Sequence, residues 1–361
     1  MPVGGHLVKL IHRVSVVVPM RNEAAHIDTL IADISAQDFA GEIEVIVADG
    51  CSSDGSVDLV RAAAARHRVA VEVLPNPSQW VSQGLNACIR RARGDLIVRL
   101  DCHSRYPADY IRRCVLVAEE TGAAAVGGIV VPKGSTPTER AVACAMDSPF
   151  GGIGWMRGTS RPIRRDSDVV TFGAFRPEAF ARVGLFDESL RRNQDDEFTL
   201  RLKRAGERVV LDSTIHVQYV PRDSLRGVFR QYFQYGFWKT AVIRKHRRLP
   251  SIRSAAPPLF VISLLVLIPA AVFLPPARWL LAADVALYGI LALTFGASSL
   301  RRRREPWRLW PLVVSVFPVF HVAYGLGLLR ASVSRSGAPR KTGDGSETPA
   351  VAKSRAEFPY P

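Results

Sequence analysis

The chain has 361 residues, 48% of them hydrophobic, with 48 Lys and Arg against 33 Asp and Glu, a formal charge of +15. That length holds one domain of roughly 200–250 residues and something more. The basic balance calls for an anionic partner, namely nucleic acid, an anionic membrane or a phosphorylated small molecule. The densest basic runs, RKHRR at 244–248 and RRRR at 301–304, both flank apolar segments, which favours membrane topology over nucleic-acid binding. The five cysteines (51, 88, 102, 114 and 144) are odd in number and lack a CxxC pair. They read as reduced cytosolic residues rather than a disulfide framework or zinc site.

In chain order, residues 1–12 form a lead whose following apolar run, VSVVVP, is too short for a signal-peptide core, so no cleaved export signal is expected. Val14–Pro19 is a β-branched run suited to a strand buried on both faces. A helix over Ala24–Ala36, a strand over Ile43–Ala48, a helix over Val57–Arg66 and a strand over Val69–Leu74 follow. A helix near Val81–Ala92 and the strand Leu96–Leu100 continue the alternation. Such a pattern predicts an α/β, Rossmann-like domain with a mostly parallel sheet. Further on, Ala123–Val131 and Val169–Phe172 read as strands, Pro177–Arg182 and Asp195–Ala205 as helices.

Residues 224–254 differ, with a helix expected over Ser224–Lys239. Leu225, Val228, Phe229, Tyr232 and Phe233 fall at helical spacing with Arg226, Arg230 and Lys239 around them, either an amphipathic helix at the membrane surface or one packed on the domain. Three apolar runs then occupy 255–330: Ala255–Ala277, Trp279–Leu300 and Leu309–Leu329. Each reaches the ~20 residues that cross a hydrocarbon core. Their basic flanks belong on the cytoplasmic side, leaving Pro275–Arg278 as an external link. Three crossings send the tail (331–361, read as disordered) outside, against the positive-inside rule; a re-entrant run is the alternative.

Two acids end strands, Asp49 in EVIVAD and Asp101 in DLIVRLD, and ligands in open α/β sheets bind beyond such ends. Asp195, Asp196 and Glu197 open a helix, where acids also serve as dipole partners; Asp54 also suits a turn or cap. Neither Gly50 nor Gly55 belongs to a GxGxxG or P-loop pattern, which argues against a dehydrogenase or kinase.

VSVVVPMRNE at 14–23, EVIVADGCSSDGS at 44–56, GLNACIRRARGD at 84–95, DCH at 101–103, FGAFRPEAFARVGLFDE at 172–188 and NQDDEFTLRLKRAG at 193–206 occur in order. This set resembles glycosyltransferase family 2, inverting enzymes with a GT-A fold, over about residues 13–240; the catalytic domain is expected at 13–223. DCHSRYP and NQDDEF look most like the succinoglycan-type glucosyltransferases of bacterial exopolysaccharide assembly. The resemblance implies a nucleotide-sugar site at Pro19, Arg21, Asn22, Glu23, Asp49, Asp54, Asn86 and Asp101. It also implies a divalent cation, manganese or magnesium, at the Asp-x-Asp position held here by Asp101 and His103. There an imidazole replaces the second carboxylate, or His103 meets the donor phosphate instead. The catalytic base falls on Asp195, with Asp196 the alternative, and the acceptor side on Gly173, Gln234 and Trp238. QYGFW at 234–238 keeps Gln234 and Trp238 of the processive Gln-x-x-Arg-Trp motif, but Phe237 stands for its Arg.

The expected activity is transfer of one sugar, first guess glucose, from a UDP-sugar to a polyprenyl-diphosphate-linked saccharide. It is expected on the cytosolic face of a bacterial inner membrane, with membrane lipid as a partner and no nucleic acid. A processive β-glycan synthase, a two-carboxylate glycosidase and a non-enzymatic membrane-bound sugar-nucleotide sensor are the competing readings.

Overall fold

The structure, a computed structural model, describes residues 10–152, 162–247 and 252–334. The lead up to residue 9, the end of the first basic run at 248 and the tail beyond 334 lie outside the described residues. In chain order come β1 (Arg13–Met20), α1 (Ile27–Ser35), β2 (Glu42–Asp49), α2 (Ser56–His67), β3 (Val71–Pro75), α3 (Val81–Arg91) and β4 (Leu96–Arg99). There follow β5 (Ser104–Arg105), α4 (Tyr110–Thr121), β6 (Ala125–Pro132), α5 (Pro137–Met146), β7 (Arg164–Asp166) and β8 (Ala174–Phe175). Then come α6 (Pro177–Val183), α7 (Gln194–Arg204) and β9 (Val209–Tyr219).

The strands form one sheet in the order β3-β2-β1-β4-β8-β6-β9-β5, with β7 on β9. Successive side chains leave opposite faces of a strand, and β1 shows this directly. Val14, Val16 and Val18 pack with Ile27, Leu30 and Ile31 of α1 and Tyr110 and Ile111 of α4. Val17, with Ile46 of β2, packs on Leu85 and Cys88 of α3 and on Phe175, Phe180, Phe186 and Phe198. Burial on both faces explains the continuous Val and Ile runs. The β3-β2-β1-β4 half is parallel, as the alternation requires. Beyond it the sheet is mixed, because β8 runs antiparallel between β4 and β6. The strand expected over Val169–Phe172 does not form: Phe172 takes a left-handed φ of +52°, which no ladder continues through, and pairing begins at Ala174.

After the sheet come α8 (Leu225–His246), α9 (Ala256–Phe273), α10 (Pro275–Arg303) and α11 (Trp310–Val333). Three helical stretches, over Ala256–Phe273, Pro275–Arg303 and Trp307–Val333, are long and apolar enough to cross a membrane, with mean hydropathies of 2.3, 1.8 and 2.0 over their most apolar windows. Pro275–Arg278 is not a link: Leu274 alone separates α9 from α10, since prolines without N–H groups fit the first turn of a helix. Arg278 caps α9 by donating to the carbonyls of Ala271 and Val272. The amphipathic α8 is longer than expected and runs alongside α11. A Cβ on Gly236 would lie 2.0 Å from the Tyr324 carbonyl oxygen, and one on Gly327 2.1 Å from that of Phe233. Only glycine permits this backbone approach.

Candidate active site

The parallel strands β1, β2 and β4 end on one edge, and a cleft of about 2220 Å³ opens there. Arg99 is the last residue of β4 and is buried. Its Nε and Nη2 donate to the two carboxylate oxygens of Asp101 at 3.1 and 3.2 Å. Its Nη1 is buried without a hydrogen-bond partner, 4.0 Å from Oδ2 of Asp195. A buried guanidinium thus joins the strand-end acid to the acids of α7. The sequence carried a signal for it that the motif comparison does not use: a charge inside the otherwise apolar strand DLIVRL.

The three α7 acids have different fates. Asp195 lines the cleft. Burial raises its pKa, Arg99 lowers it and Asp196 raises it, with a net position above the ordinary aspartate value. Asp196 is paired with the Lys239 ammonium from α8; burial opposes the charge on Lys239, but Asp196 outweighs it and holds its pKa up. Glu197 is fully buried and meets Arg201 at 3.0 Å, Lys245 at 2.8 Å and His246 at 3.0 Å. It is a structural tie between α7 and α8.

On the opposite wall, Pro19, Arg21, Asn22, Glu23 and Asp54 line the cleft with Asp101 and His103. Asn22 adopts φ +53°; its N–H donates to the Ser52 hydroxyl and its Oδ1 accepts from Ser53 N–H, each at 2.9 Å. Asp54 accepts from Ala24 N–H at 3.0 Å and from the N–H and hydroxyl of Ser56; the Ser56 hydroxyl leads in lowering its pKa. Asp54 therefore clips the two loops after β1 and β2 together, the turn role its position allowed. His103 places Nδ1 3.4 Å from Glu23 Oε1. Burial opposes charge on its ring, but its hydrogen bond to Glu23 and the charge of Asp101 leave its pKa above the ordinary histidine value.

Five expected site residues stand off the cleft wall. Asp49, at the end of β2, accepts the Ser52 N–H at 3.2 and 3.3 Å, which shapes the loop behind the wall. Asn86 is buried and pins α3 to the 186–188 turn, donating to Phe186 O at 2.8 Å and Glu188 at 2.9 Å while accepting from Phe186 N–H at 3.0 Å. Gly173 offers its carbonyl to Arg99 N–H at 3.1 Å. Gln234 and Trp238 lie on the flank of α8. The face turned into the cleft carries Gln231, Tyr232, Tyr235 and Lys239, spaced at i, i+4 and i+8 with Tyr232 beside them. Gln231 bridges the hydroxyls of Tyr219 and Tyr235 at 2.9 and 3.0 Å.

The cleft continues from these residues to Pro257 and Phe260 of α9, Tyr288 of α10 and Phe320 and Tyr324 of α11. One wall is thus charged, the other aromatic and continuous with the apolar helices. Of the cysteines, Cys88, Cys102, Cys114 and Cys144 are buried and free. Burial pushes the Cys88 and Cys114 thiols up to about 12, so neither offers a thiolate nucleophile.

Among the described residues no group of three or more His, Cys, Asp or Glu is set to enclose a metal ion. Asp101 nonetheless fits a cation held in part by substrate. Arg99 uses one lone pair on each carboxylate oxygen, the others stay available, and hard ions of this kind take one or two carboxylates plus phosphate oxygens.

A profile described as Glycosyl transferase family 2 matches residues 15–188. The chain is 31% identical over 319 residues to the succinoglycan biosynthesis protein ExoA of Rhizobium meliloti, covering 87% of this chain and 93% of that protein. It is 24% identical over 243 residues (64% of this chain, 74% of the relative) to a dolichyl N-acetyl-alpha-D-glucosaminyl phosphate 3-beta-D-2,3-diacetamido-2,3-dideoxy-beta-D-glucuronosyltransferase of Methanococcus voltae. In fold it resembles the mannosyltransferase PcManGT from Pyrobaculum calidifontis, solved with GDP-Man and Mn2+, with a TM-score of 0.60 at 20% identity over 88% of this chain and 87% of that one. The GT-A-type α/β domain, its ordered motifs and the near full-length relative agree: the chain belongs to glycosyl transferase family 2.

Proposed function

We propose that the protein is a membrane-held inverting glycosyltransferase that moves one sugar from a nucleotide-sugar donor to a lipid-linked saccharide, at the cytosolic face of a bacterial inner membrane. The observation that carries this reading is the continuity of the cleft, from Asp101 and Asp195 to the aromatic side chains of α9, α10 and α11. A soluble acceptor needs no apolar wall there; an acceptor whose far end lies in lipid does. Two relatives support the same class, one belonging to succinoglycan biosynthesis and the other acting on a dolichyl-phosphate-linked sugar.

In this reading the donor diphosphate lies among Arg21, Glu23, Asp101 and His103, and the acceptor hydroxyl approaches from the α8 side. Asp195 takes the hydroxyl proton as the oxygen attacks the anomeric carbon, because Asp196 is occupied by Lys239. A single displacement inverts the configuration, so an α-linked donor gives a β-linked product. Arg99 keeps Asp101 and Asp195 at fixed orientation. Asp101 would hold a divalent cation, manganese or magnesium, which would supply charge neutralisation at the diphosphate. His103 would serve that cation or the phosphate. A uridine nucleotide carrying glucose is the first donor to test.

The test is to incubate membranes containing the protein with several radiolabelled nucleotide sugars, with and without a chelator, and extract lipids. Label in the lipid fraction that depends on one donor supports the reading. Label only in water-soluble product overturns the acceptor class.

A further inference from the structure

We propose that α11 lies along the near leaflet on the catalytic-domain side rather than crossing the membrane, so that only the α9–α10 hairpin reaches the far face and residue 334 stays on the face that holds Asp101 and Asp195. This does not depend on the identity of donor or acceptor.

The partnership of α8 and α11 carries the argument. The two helices run parallel, in step over four turns. Tyr232 stacks on Phe320 with centroids 4.0 Å apart, Gly236 meets Tyr324 and Gly327 meets Phe233. Further along, the Thr240 hydroxyl donates to Leu328 O at 3.3 Å and Arg244 to Ala331 O and Ser332 O at 2.8 Å each. A 24-residue helix is about 36 Å long, so crossing would place one end of α11 a full bilayer from the other. Yet the catalytic domain holds it at both ends. At the first end, Val313, Val316 and Phe317 form one apolar cluster with Ala141, Val142 and Ala145 of α5. At the last, α8 beside it is tied to α7 and the 187 turn through Lys239–Asp196, Lys245–Asp187, Lys245–Glu197 and His246–Glu197. Crossing would carry these charges into hydrocarbon, which costs several kcal/mol for each ion left in it.

Burial separates the three helices in the same way. Of the most apolar window of α11, 39% is buried inside the protein, against 11% for α9 and for α10. Most of the strongly exposed large apolar side chains, Phe273 and Trp279 among them, sit on the hairpin, whereas on α11 it is the terminal Val333 that is exposed. The contacts of α11 with that hairpin include its base. Gly325 packs on Pro257 and Val261 of α9, and the Trp310 indole donates to Leu293 O of α10. Beyond this base the hairpin extends about 20 Å. Adding the ~10 Å width of α11 gives about the 30 Å of a hydrocarbon core, so a hairpin rising from an immersed α11 reaches the far face. The basic groups support the near face. Arg302 and Arg303, after α10, bond to Asp147 and to Pro132 O of the catalytic domain. Arg301 lies over exposed Trp307 at 5.5 Å, the aromatic and cationic pairing that sits at an anionic headgroup layer.

Cysteine labelling of the full chain tests this. Cys51 is exposed in the catalytic domain and marks its face. Two further versions, in a Cys51→Ser background, carry Ser334→Cys or Arg278→Cys. Each is treated with a membrane-impermeant maleimide in spheroplasts and in inside-out vesicles. Cys51 and position 334 should label in the same preparation, and position 278 in the other, with at least a tenfold preference in each case. Position 334 labelling together with 278 overturns the proposal, as does labelling of all three positions from one face.

Discussion

Arg99 Nη1 stands 4.0 Å from Asp195 Oδ2 while the other two guanidinium nitrogens hold Asp101. One buried cation therefore sets both the orientation of the strand-end acid and the charge of the proposed base. A general base works ionised, so activity falls as pH drops through its pKa. Burial and Asp196 lift the Asp195 pKa over the opposing effect of Arg99, so the acid limb of kcat/KM belongs above the ordinary aspartate range. Arg99→Leu removes the opposing charge and moves that limb to higher pH. It also frees Asp101, lowering the plateau by about 10–100-fold. A pH profile of both proteins decides; an unmoved acid limb rules out this coupling.

Asp195→Asn is expected to lower kcat by about 10²–10⁴-fold, the usual size of a general-base contribution. Asp196→Asn acts elsewhere: it strands Lys239, which is nearly buried and loses its carboxylate partner. Its signature is a lower melting temperature with a much smaller loss of kcat. Kinetics and thermal denaturation of both variants in detergent separate these outcomes, and reversal of their ranking assigns the base to Asp196.

Asn86→Ala should behave as a stability variant. The side chain makes three hydrogen bonds that hold α3 to the 186–188 turn, and leaving the Phe186 backbone groups unpaired costs about 1–3 kcal/mol. Tm falls, while KM for the nucleotide sugar changes less than about twofold by the absence of contact with the cleft. A tenfold rise in donor KM with unchanged Tm returns Asn86 to the donor site.

Gly327→Val tests the α8–α11 crossing. Even a bare Cβ there meets the Phe233 carbonyl oxygen at 2.1 Å, and overpacking of this kind costs about 1–3 kcal/mol or more. Because Gln231, Tyr235 and Lys239 reach the cleft from α8, displacement of that helix lowers activity along with stability. Gly289, with open space at its Cβ position, serves as the control: Gly289→Ala leaves both unchanged.

The readable part of the fold was the part written in apolar runs. β1, β2 and β4 are continuous Val, Ile and Leu stretches because both faces are covered, and their ends marked the site edge. β9 was not legible in the same way, since Asp212, Ser213 and Thr214 interrupt it; Asp212 is met there by Arg164 and Thr214. Among site residues, those on loops of fixed motif, Arg21 to Glu23, Asp101 and His103, line the cleft. Gln234 and Trp238 do not, because letters at motif spacing carry no information on the rotation of a helix. That rotation is set by Gly236 against α11, a tertiary contact that turns the 231, 235 and 239 positions inward. Arg99 was missed for a related reason: its role depends on Asp195, 96 positions further along the chain.

Mass spectrometry of the lipid extract, after incubating membranes with the matching nucleotide sugar, tests the central claim most directly. The account predicts a lipid-linked saccharide heavier by one sugar, formed by the unaltered protein and nearly absent with Asp195→Asn. A ladder of many added sugars, or the same product in undiminished yield from Asp195→Asn, would contradict it.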